Sequence, residues 1–148
     1  MKLRALESLL EGVDAFETPK VALEQYPTSP HIAARIVHTA ESFGDIRDRV
    51  VVDLGCGGGV LTLGAALCGA GHVVSATRTH LLHAERLTTR AMRPQVGIDI
   101  DADAISLTAS NAAQFEDVFV DVLHAHVTHL PPSLRADTVI MCAFCLRI

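Results

Sequence analysis

The chain has 148 residues, 49% of them hydrophobic, which predicts one folded domain with a sizeable core and excludes a disordered chain. Its formal net charge of -5 argues against nucleic-acid binding by bulk electrostatics, so an RNA contact would need a local basic patch or a partner. No apolar run is long enough to span a bilayer, and the N-terminus is unlike a secretory signal. We therefore expect an intracellular protein with reduced cysteines and no membrane contact.

Two helices are predicted before the first strand. The first spans about Lys2–Val13, where leucines recur at helical spacing. The second has Ser29 as its N-cap and Pro30 at its first helical position, and Gly44 closes it. Its predicted core face consists of Ile32, Ile36, Val37, Ala40 and Phe43.

Four short apolar segments are predicted to be strands. They are Val50–Leu54, Val96–Ile100, Phe119–Val122 and Thr138–Met141. A helix from about Ala102 to Ala113 separates the second strand from the third. Strands that alternate with helices indicate an α/β fold with a parallel sheet and right-handed crossovers.

The first strand opens directly into a glycine-rich loop and a helix. Asp53 ends the apolar run, and Gly55, Gly57 and Gly59 follow at alternate positions, where bare backbone lets a ligand approach closely. The spacing differs from the dinucleotide pattern because Thr62 stands where its last glycine would be. A simple turn is the alternative, but the strand, the acidic residue and the following helix favour a cofactor loop.

Asp99, at the end of the second strand, is the candidate acceptor for the hydroxyls of a cofactor ribose. In nucleotide-type folds this acidic residue lies about 20 residues beyond the glycine loop, and here it lies about twice that far. The excess is His72–Gln95, which we interpret as an inserted loop with room for a short helix around Leu81–Leu87. Helix capping is the alternative for Asp99, although Asp101 is better placed to cap.

A wider pattern surrounds the glycine loop and continues beyond the insertion. It consists of Glu24-Gln25-Tyr26-Pro27-Thr28, Pro30–Arg35, Val51–Val60, Gly69–Gly71, Val96–Asp101 and Asp137–Met141. Together these segments resemble the methyltransferase-like protein 5 family over most of residues 1–71 and 96–141. The resemblance implies a Rossmann-like class I S-adenosylmethionine-dependent methyltransferase fold. It also implies an enzyme that modifies the exocyclic amine of an adenine in small-subunit ribosomal RNA.

The resemblance also implies which residues hold the cofactor. Gln25, Tyr26 and Thr28 would lie over it, and the glycine loop would shape the pocket for its methionine end. Asp99 would accept hydrogen bonds from the ribose, and Asp121 would lie near the adenine ring at the end of the third strand. The full candidate cofactor-binding set is Gln25, Tyr26, Thr28, Asp53, Gly55, Cys56, Gly57, Asp99, Ile100 and Asp121.

The chain departs from the family after Met141 and in the insertion. The family continues with Asn-Pro-Pro-Phe, which holds the target amine and stacks on a flipped adenine, whereas this chain continues Cys142–Ile148. No catalytic residue is therefore assigned, and we expect catalysis to be absent or very weak. We interpret the chain as a partial methyltransferase domain that is incomplete at the C-terminus. Its segments are the N-terminal helices and cofactor-covering segment (1–49), the glycine-loop unit (50–71), the insertion (72–95) and the second half (96–148). A splicing or gene-prediction product would explain both departures from the family.

By resemblance, the partners are ribosomal RNA and a small zinc-binding activator subunit that would pair with the sheet edge at Phe119–Val122. A location in the nucleus, nucleolus and cytoplasm is implied as well. One alternative is a non-catalytic fragment that binds cofactor or activator and competes with the full-length enzyme. Another is a fragment that never folds, because Thr138–Met141 is a bare edge strand. RNA binding through the arginines of the insertion is a weaker alternative.

No metal site is predicted. The run Asp99-x-Asp101-x-Asp103 resembles a calcium loop but lacks the glycine and glutamate that such a loop needs. The Cys142–Cys145 pair has no second pair at ligand spacing. Cys56 is interpreted as a small packing residue rather than a reactive thiol. Three further residues are interpreted as solvated loop histidines: His124, His126 and His129.

Overall fold

The computed structural model describes residues 1–69, 95–116, 118 and 120–141. Its helices are α1 (Leu3–Leu10), α2 (Pro30–Ser42), α3 (Val60–Leu67) and α4 (Ala102–Ala112). Its strands are β1 (Val51–Leu54), β2 (Gln95–Asp99), β3 (Asp121–His124) and β4 (Thr138–Met141). Short 3₁₀ turns occur at Val21–Leu23 and Val127–His129. None of the helices in these ranges is long and apolar enough to cross a membrane.

The four strands form one parallel sheet in the order β3-β2-β1-β4, which confirms the predicted α/β class. The chain moves outward from β1 to β2 and β3 and then returns to the other side of β1 for β4. Asp53 of β1 lies between Gly97 of β2 and Ile140 of β4. Ligands of open α/β sheets bind at the carboxyl ends of the strands, where the strand order reverses. The carboxyl end of β1 is therefore the expected site.

Successive residues of β1 face two separate hydrophobic clusters. Val51 shares one cluster with Leu6 of α1, Val37 of α2 and Leu63 of α3. Val52 belongs to the other, whose remaining members are Val96, Ile98, Leu54, Leu123, Ala125, Leu130 and Leu134. A parallel sheet needs apolar cover on both faces, which explains why β1 reads as a continuous apolar run.

The start of α2 is as predicted, but its core face is largely wrong. Ser29 Oγ accepts a hydrogen bond from the amide of Ile32 at 3.4 Å, and Pro30 is the first helical residue. However, Ile32, Ile36 and Phe43 are 53%, 43% and 76% exposed. The three largest apolar side chains of the predicted face therefore point away from the core.

Small residues form the buried face of α2 instead. Ala33, Ala34 and Val37 are fully buried, and Ala40 packs against the same cluster, so Val37 and Ala40 of the predicted face are confirmed. A Cβ at Gly64 of α3 would lie only 3.1 Å from Cγ2 of Val37, so the two helices are in close contact at that point. Larger side chains on this face of α2 would not fit such a contact, which is why the apolar pattern alone selected the wrong face.

Three strands differ from their predicted bounds: β1 begins one residue later, β2 lies one residue earlier and β3 lies two residues later. β3 begins at Asp121 and ends at His124, two residues later than predicted, and Phe119 lies outside the described residues. Gln95, which the sequence placed in the insertion, is the buried first residue of β2. The rest of the insertion, including the helix predicted around residues 81–87, and the tail at 142–148 also lie outside the described residues.

Candidate cofactor site

A cleft with a volume of about 750 Å³ opens at the carboxyl ends of β1 and β2. Its size falls in the usual range for small-molecule sites. Residues 14–28, which connect α1 to α2 and are called the cover segment below, close over the glycine loop. Nine of the ten predicted residues line this cleft: Gln25, Tyr26, Thr28, Asp53, Gly55, Cys56, Gly57, Asp99 and Ile100.

Asp121 is the exception, and its predicted position is corrected. It begins β3 rather than ending it, and it pairs with Val96 near the amino end of β2. The cleft lies at the opposite end of these strands, and Asp121 is absent from its lining. The chain segment that follows β3 lines the cleft in its place, through Ala125, His126, Val127 and Thr128. The prediction started the strand too early, which moved the expected site residue by several positions.

The glycine loop adopts backbone conformations that other residues rarely reach. Gly55, Gly57 and Gly59 have φ angles of 75°, 55° and 84°. The amides of Gly55 and Cys56 both donate to the carbonyl of Ile98, at 2.8 and 3.0 Å, which fixes the loop to β2. A Cβ at Gly57 would meet only a Phe16 ring atom at 3.8 Å. The loop therefore presents open backbone to the cleft.

Asp53 carries a buried oxygen for which the described residues supply no hydrogen-bond donor. The residue is 2% exposed, and its Oδ2 accepts from Thr62 Oγ1 at 2.6 Å. Within the described part of the chain nothing donates to Oδ1. Burial raises the pKa of the Asp53 carboxyl to about 6, and the hydrogen bond from Thr62 opposes that rise. A cation placed here would satisfy the orphaned oxygen and favour the ionised carboxylate.

Asp99 is held rigidly at the end of β2. Its Oδ2 accepts from the amide of Gly57 at 2.9 Å, and its Oδ1 accepts from the amide of Asp101 at 2.9 Å. Each carboxylate oxygen still has a lone pair for a second donor. Two adjacent hydroxyl groups of a ligand would find a preoriented acceptor at this position.

The cover segment is attached to α4 through Lys20 and Gln25. Lys20 Nζ contacts Asp101 Oδ1 and Oδ2 at 2.7 and 2.9 Å and Asp103 Oδ2 at 2.6 Å. Gln25 Nε2 donates to Asp101 Oδ2 at 2.6 Å, while its Oε1 accepts from the amide of Lys20 at 2.8 Å. The hydrogen bonds to Asp101 and Asp103 raise the pKa of the Lys20 ammonium, and the hydrogen bond from Lys20 lowers the pKa of the Asp101 carboxyl. The side chain of Gln25 thus bridges two protein groups at the edge of the cleft.

One face of α4 supports the glycine loop, a role that the sequence analysis did not assign to it. Thr108 Oγ1 donates to the carbonyl of Gly57 at 2.8 Å. Asn111 Nδ2 donates to the carbonyl of Gly58 at 2.8 Å and to that of Asp14 at 2.9 Å, and both α4 residues are fully buried. The signal available in the sequence was a Thr and an Asn three residues apart, which lie on the same face of the predicted helix.

The environment of Cys56 agrees with a packing role. Its side chain is 6% exposed, and burial raises the pKa of the thiol to about 12. A Cβ at Gly97 would lie 3.2 Å from both Cβ and Sγ of Cys56, so the thiol fills the space that this glycine leaves. A neutral, enclosed thiol is a poor nucleophile.

The histidines near β3 bond to protein groups. His124 Nε2 lies 2.7 Å from the carbonyl of Ile100, and His126 Nδ1 lies 2.7 Å from Thr128 Oγ1. His129 Nδ1 lies 2.9 Å from the same hydroxyl. No group of three side chains in the described ranges is arranged to hold a metal ion.

Comparisons with known proteins place this geometry among methyltransferases. The Danio rerio rRNA N(6)-adenosine-methyltransferase METTL5 is 42% identical over 144 residues, covering 95% of this chain and 59% of the relative. The Drosophila melanogaster rRNA N(6)-adenosine-methyltransferase Mettl5 is 40% identical over 145 residues, covering 95% and 58%. A crystal structure from Pyrococcus horikoshii, assigned as an RNA methyltransferase, has a TM-score of 0.71 at 30% identity, covering 95% of this chain and 57% of that one. No protein-family model matches the chain.

The parallel sheet, the glycine loop and the acidic residues at its carboxyl edge define the fold of S-adenosylmethionine-dependent methyltransferases. Within that class, the chain is similar over 95% of its length to rRNA N(6)-adenosine-methyltransferases of the methyltransferase-like protein 5 type. S-adenosylmethionine is the cofactor of these enzymes. The chain spans a little under three fifths of the length of these two curated relatives.

Proposed function

We propose that this chain binds S-adenosylmethionine in the cleft between the glycine loop and the cover segment. When bound, the cofactor supplies an electrophilic methyl group on a sulfonium centre. The observation that carries the proposal is the buried Oδ1 of Asp53, which has no hydrogen-bond partner in the described part of the chain although it lies in the cleft wall. The ammonium group of the methionine end is a donor of the right charge for it.

The two ends of the cofactor would be held by different strands. Asp53 at the end of β1 would take the ammonium, and the open backbone at Gly55 and Gly57 would lie beside the methionine chain. Asp99 at the end of β2 would accept from the ribose hydroxyls. These acceptors lie on adjacent strands, and the amide of Gly57 ties Asp99 to the loop between them. The chain therefore presents a preformed cradle rather than separate groups.

We further propose that this chain alone does not methylate RNA, or does so very weakly. In the methyltransferase-like protein 5 family, an Asn-Pro-Pro-Phe motif follows the fourth strand and orients the target adenine. This chain has Cys142-Ala143-Phe144-Cys145 after β4. Positioning supplies much of the rate of a direct methyl transfer, so a cofactor without an oriented amine would react slowly. By homology, the adenine of a ribosomal RNA is the substrate class to test.

Isothermal titration calorimetry with S-adenosylmethionine tests the binding proposal. We expect saturable binding to the wild-type chain and at least roughly tenfold weaker binding to Asp99→Asn, which removes the charge but keeps one acceptor oxygen. Asp45→Ala is the matched control, since Asp45 is exposed and lies outside the cleft. An absence of binding by the wild-type chain would overturn the proposal.

A transfer assay tests the second part separately. The wild-type chain is incubated with ribosomal RNA and tritiated cofactor, with the full-length zebrafish relative as the positive control. We expect no incorporation into RNA above background despite cofactor binding. Incorporation comparable to that of the relative would show that the tail after β4 can orient the adenine after all.

A second candidate function concerns the β3 edge of the sheet. β3 is the outer strand of the described sheet on this side, and its residues are half-buried or exposed. We propose, from the family resemblance, that a small zinc-binding activator subunit adds a strand here and that the chain competes with the full-length enzyme for it. Capture of a purified activator by the tagged chain, lost on Val122→Pro, would support this.

From the same resemblance we propose nuclear, nucleolar and cytoplasmic localisation, which fluorescence imaging of the tagged chain would test.

A further inference from the structure

The cover segment is held closed by polar contacts rather than by burial. None of residues 14–28 is buried, and only Phe16, Glu24, Gln25 and Thr28 are even half-buried. Its first residue is anchored by Asn111, and its middle is anchored by Asp101. An element with so little buried apolar surface has a low cost of local opening, so its few polar anchors decide how often it opens.

Asp101 is the centre of the second anchor. It is only 8% exposed, and its carboxylate accepts hydrogen bonds from Lys20 Nζ and Gln25 Nε2. Its own amide donates to Asp99, the proposed ribose acceptor. Asp101 therefore connects the cover segment above the cleft to a carboxylate inside the cleft.

We propose that the ion pair between Lys20 and Asp101 is a latch that controls how long the bound cofactor is retained. Lys20 and Asp101 are positioning residues: they hold Gln25, and Gln25 immediately precedes Tyr26–Thr28, which lie along the cleft. When the latch opens, residues 20–28 can move away and the cofactor can leave. This inference rests on the proposed cofactor binding.

The probe is S-adenosylhomocysteine, because its uncharged sulfur removes the direct effect of the sulfonium charge on binding. Its release rate is measured by competition in a stopped-flow instrument. We expect Lys20→Met to accelerate release roughly three- to tenfold with little change in the association rate, since Lys20 is 44% exposed and the pair is partly screened. Lys2→Met is the matched control, because Lys2 is the only other lysine and its side chain makes no capping bond at α1.

Two further measurements separate a latch from a general structural role. Release from the wild-type chain should accelerate between about 0.1 M and 1 M salt, whereas release from Lys20→Met should respond much less. In a double-mutant cycle, Lys20→Met combined with Asp101→Asn should release the probe no faster than the faster single variant. Additive effects, or an unchanged salt response in Lys20→Met, would overturn the latch.

Hydrogen exchange of the free protein distinguishes failure of the latch from failure of the proposed function. We expect faster exchange of the amides of residues 20–28 in Lys20→Met, with no change in α2. If exchange rises but the release rate does not, the ion pair orders the segment without retaining cofactor, and the inference is wrong. If exchange does not rise, no latch exists. If the wild-type chain does not bind the probe, the proposed function fails first and the retention role fails with it.

Discussion

Asn111 and Asp14 exchange two hydrogen bonds across 97 residues of sequence. The amide of Asp14 donates to Asn111 Oδ1 at 3.0 Å, and Asn111 Nδ2 donates back to the carbonyl of Asp14 at 2.9 Å. The second hydrogen of the same Nδ2 group goes to the carbonyl of Gly58. One buried side chain on α4 thus joins the beginning of the cover segment to the glycine loop.

Replacing Asn111 should destabilise the fold and the cleft together. Asn111→Ala leaves the amide of Asp14 and the carbonyl of Gly58 without a partner, which we expect to cost about 2–4 kcal/mol in the free energy of unfolding. Urea denaturation measures the effect. Ser110→Ala is the control, because the neighbouring Ser110 is exposed and its replacement should stay within about 0.5 kcal/mol. Equal midpoints for the two variants would contradict the bridging role.

Two glycines allow backbone strain to be separated from a steric clash. Gly44 and Gly59 have similar φ angles of 81° and 84°, but a Cβ at Gly44 meets nothing within 4 Å, whereas one at Gly59 would lie 2.8 Å from Thr108 Cγ2. Gly44→Ala should cost about 1–2 kcal/mol from the backbone alone. Gly59→Ala should cost about 1–3 kcal/mol more because α4 must shift.

Thermal and urea unfolding of both alanine variants measure the difference. Gly59→Ala should also weaken cofactor binding in calorimetry, since the loop that contacts the ligand is displaced, whereas Gly44→Ala should bind normally. An alanine at position 59 that costs no more than one at position 44 would show that α4 yields easily at Thr108.

Asp53 should make the stability of the cofactor-free chain depend on pH. Burial raises the pKa of its carboxyl to about 6, above the ordinary value of 3.8, so the folded state binds a proton that the unfolded state has released. Its contribution is therefore fully present below about pH 4 and is lost as the pH rises to about 6, by an amount of about 3 kcal/mol.

Urea unfolding of the wild type and of Asp53→Asn across this pH range measures that loss. The amide cannot ionise, so Asp53→Asn should lack this component of the pH dependence. Bound cofactor should reduce the loss in the wild type, because its ammonium favours the ionised carboxylate. Parallel pH profiles for the two chains would contradict the desolvation of Asp53.

The thiol of Cys56 should be inert in the folded protein. It is enclosed against Gly97, and burial raises its pKa to about 12, so almost none of it is thiolate near neutral pH. Alkylation with iodoacetamide followed by peptide mass spectrometry should leave Cys56 unmodified in the native chain and modify it in urea. Rapid labelling of the native chain would indicate that the glycine loop opens.

The parts of the site that could be predicted lie close together in sequence. The alternating glycines after Asp53 and the Ser29-Pro30 helix start were correct, since each depends on contacts between residues a few positions apart. The position of Asp121 was not, because a strand boundary decides it. For the buried face of α2, Val37 and Ala40 were correct but the three large apolar residues were not, because the close approach of α3 at Gly64 favours small residues.

The sequence alone determined the α/β class, the methyltransferase resemblance and nine residues that line one cleft. Only the tertiary structure decided how α4 is used, with Asn111 holding the glycine loop and Asp101 holding the cover segment through Lys20 and Gln25. These contacts join residues 53 to 81 positions apart, so no local pattern identifies the partners. They exist because packing of the parallel sheet brings one side of α4, from Asp101 to Asn111, beside the glycine loop and the cover segment, where buried polar groups must find partners.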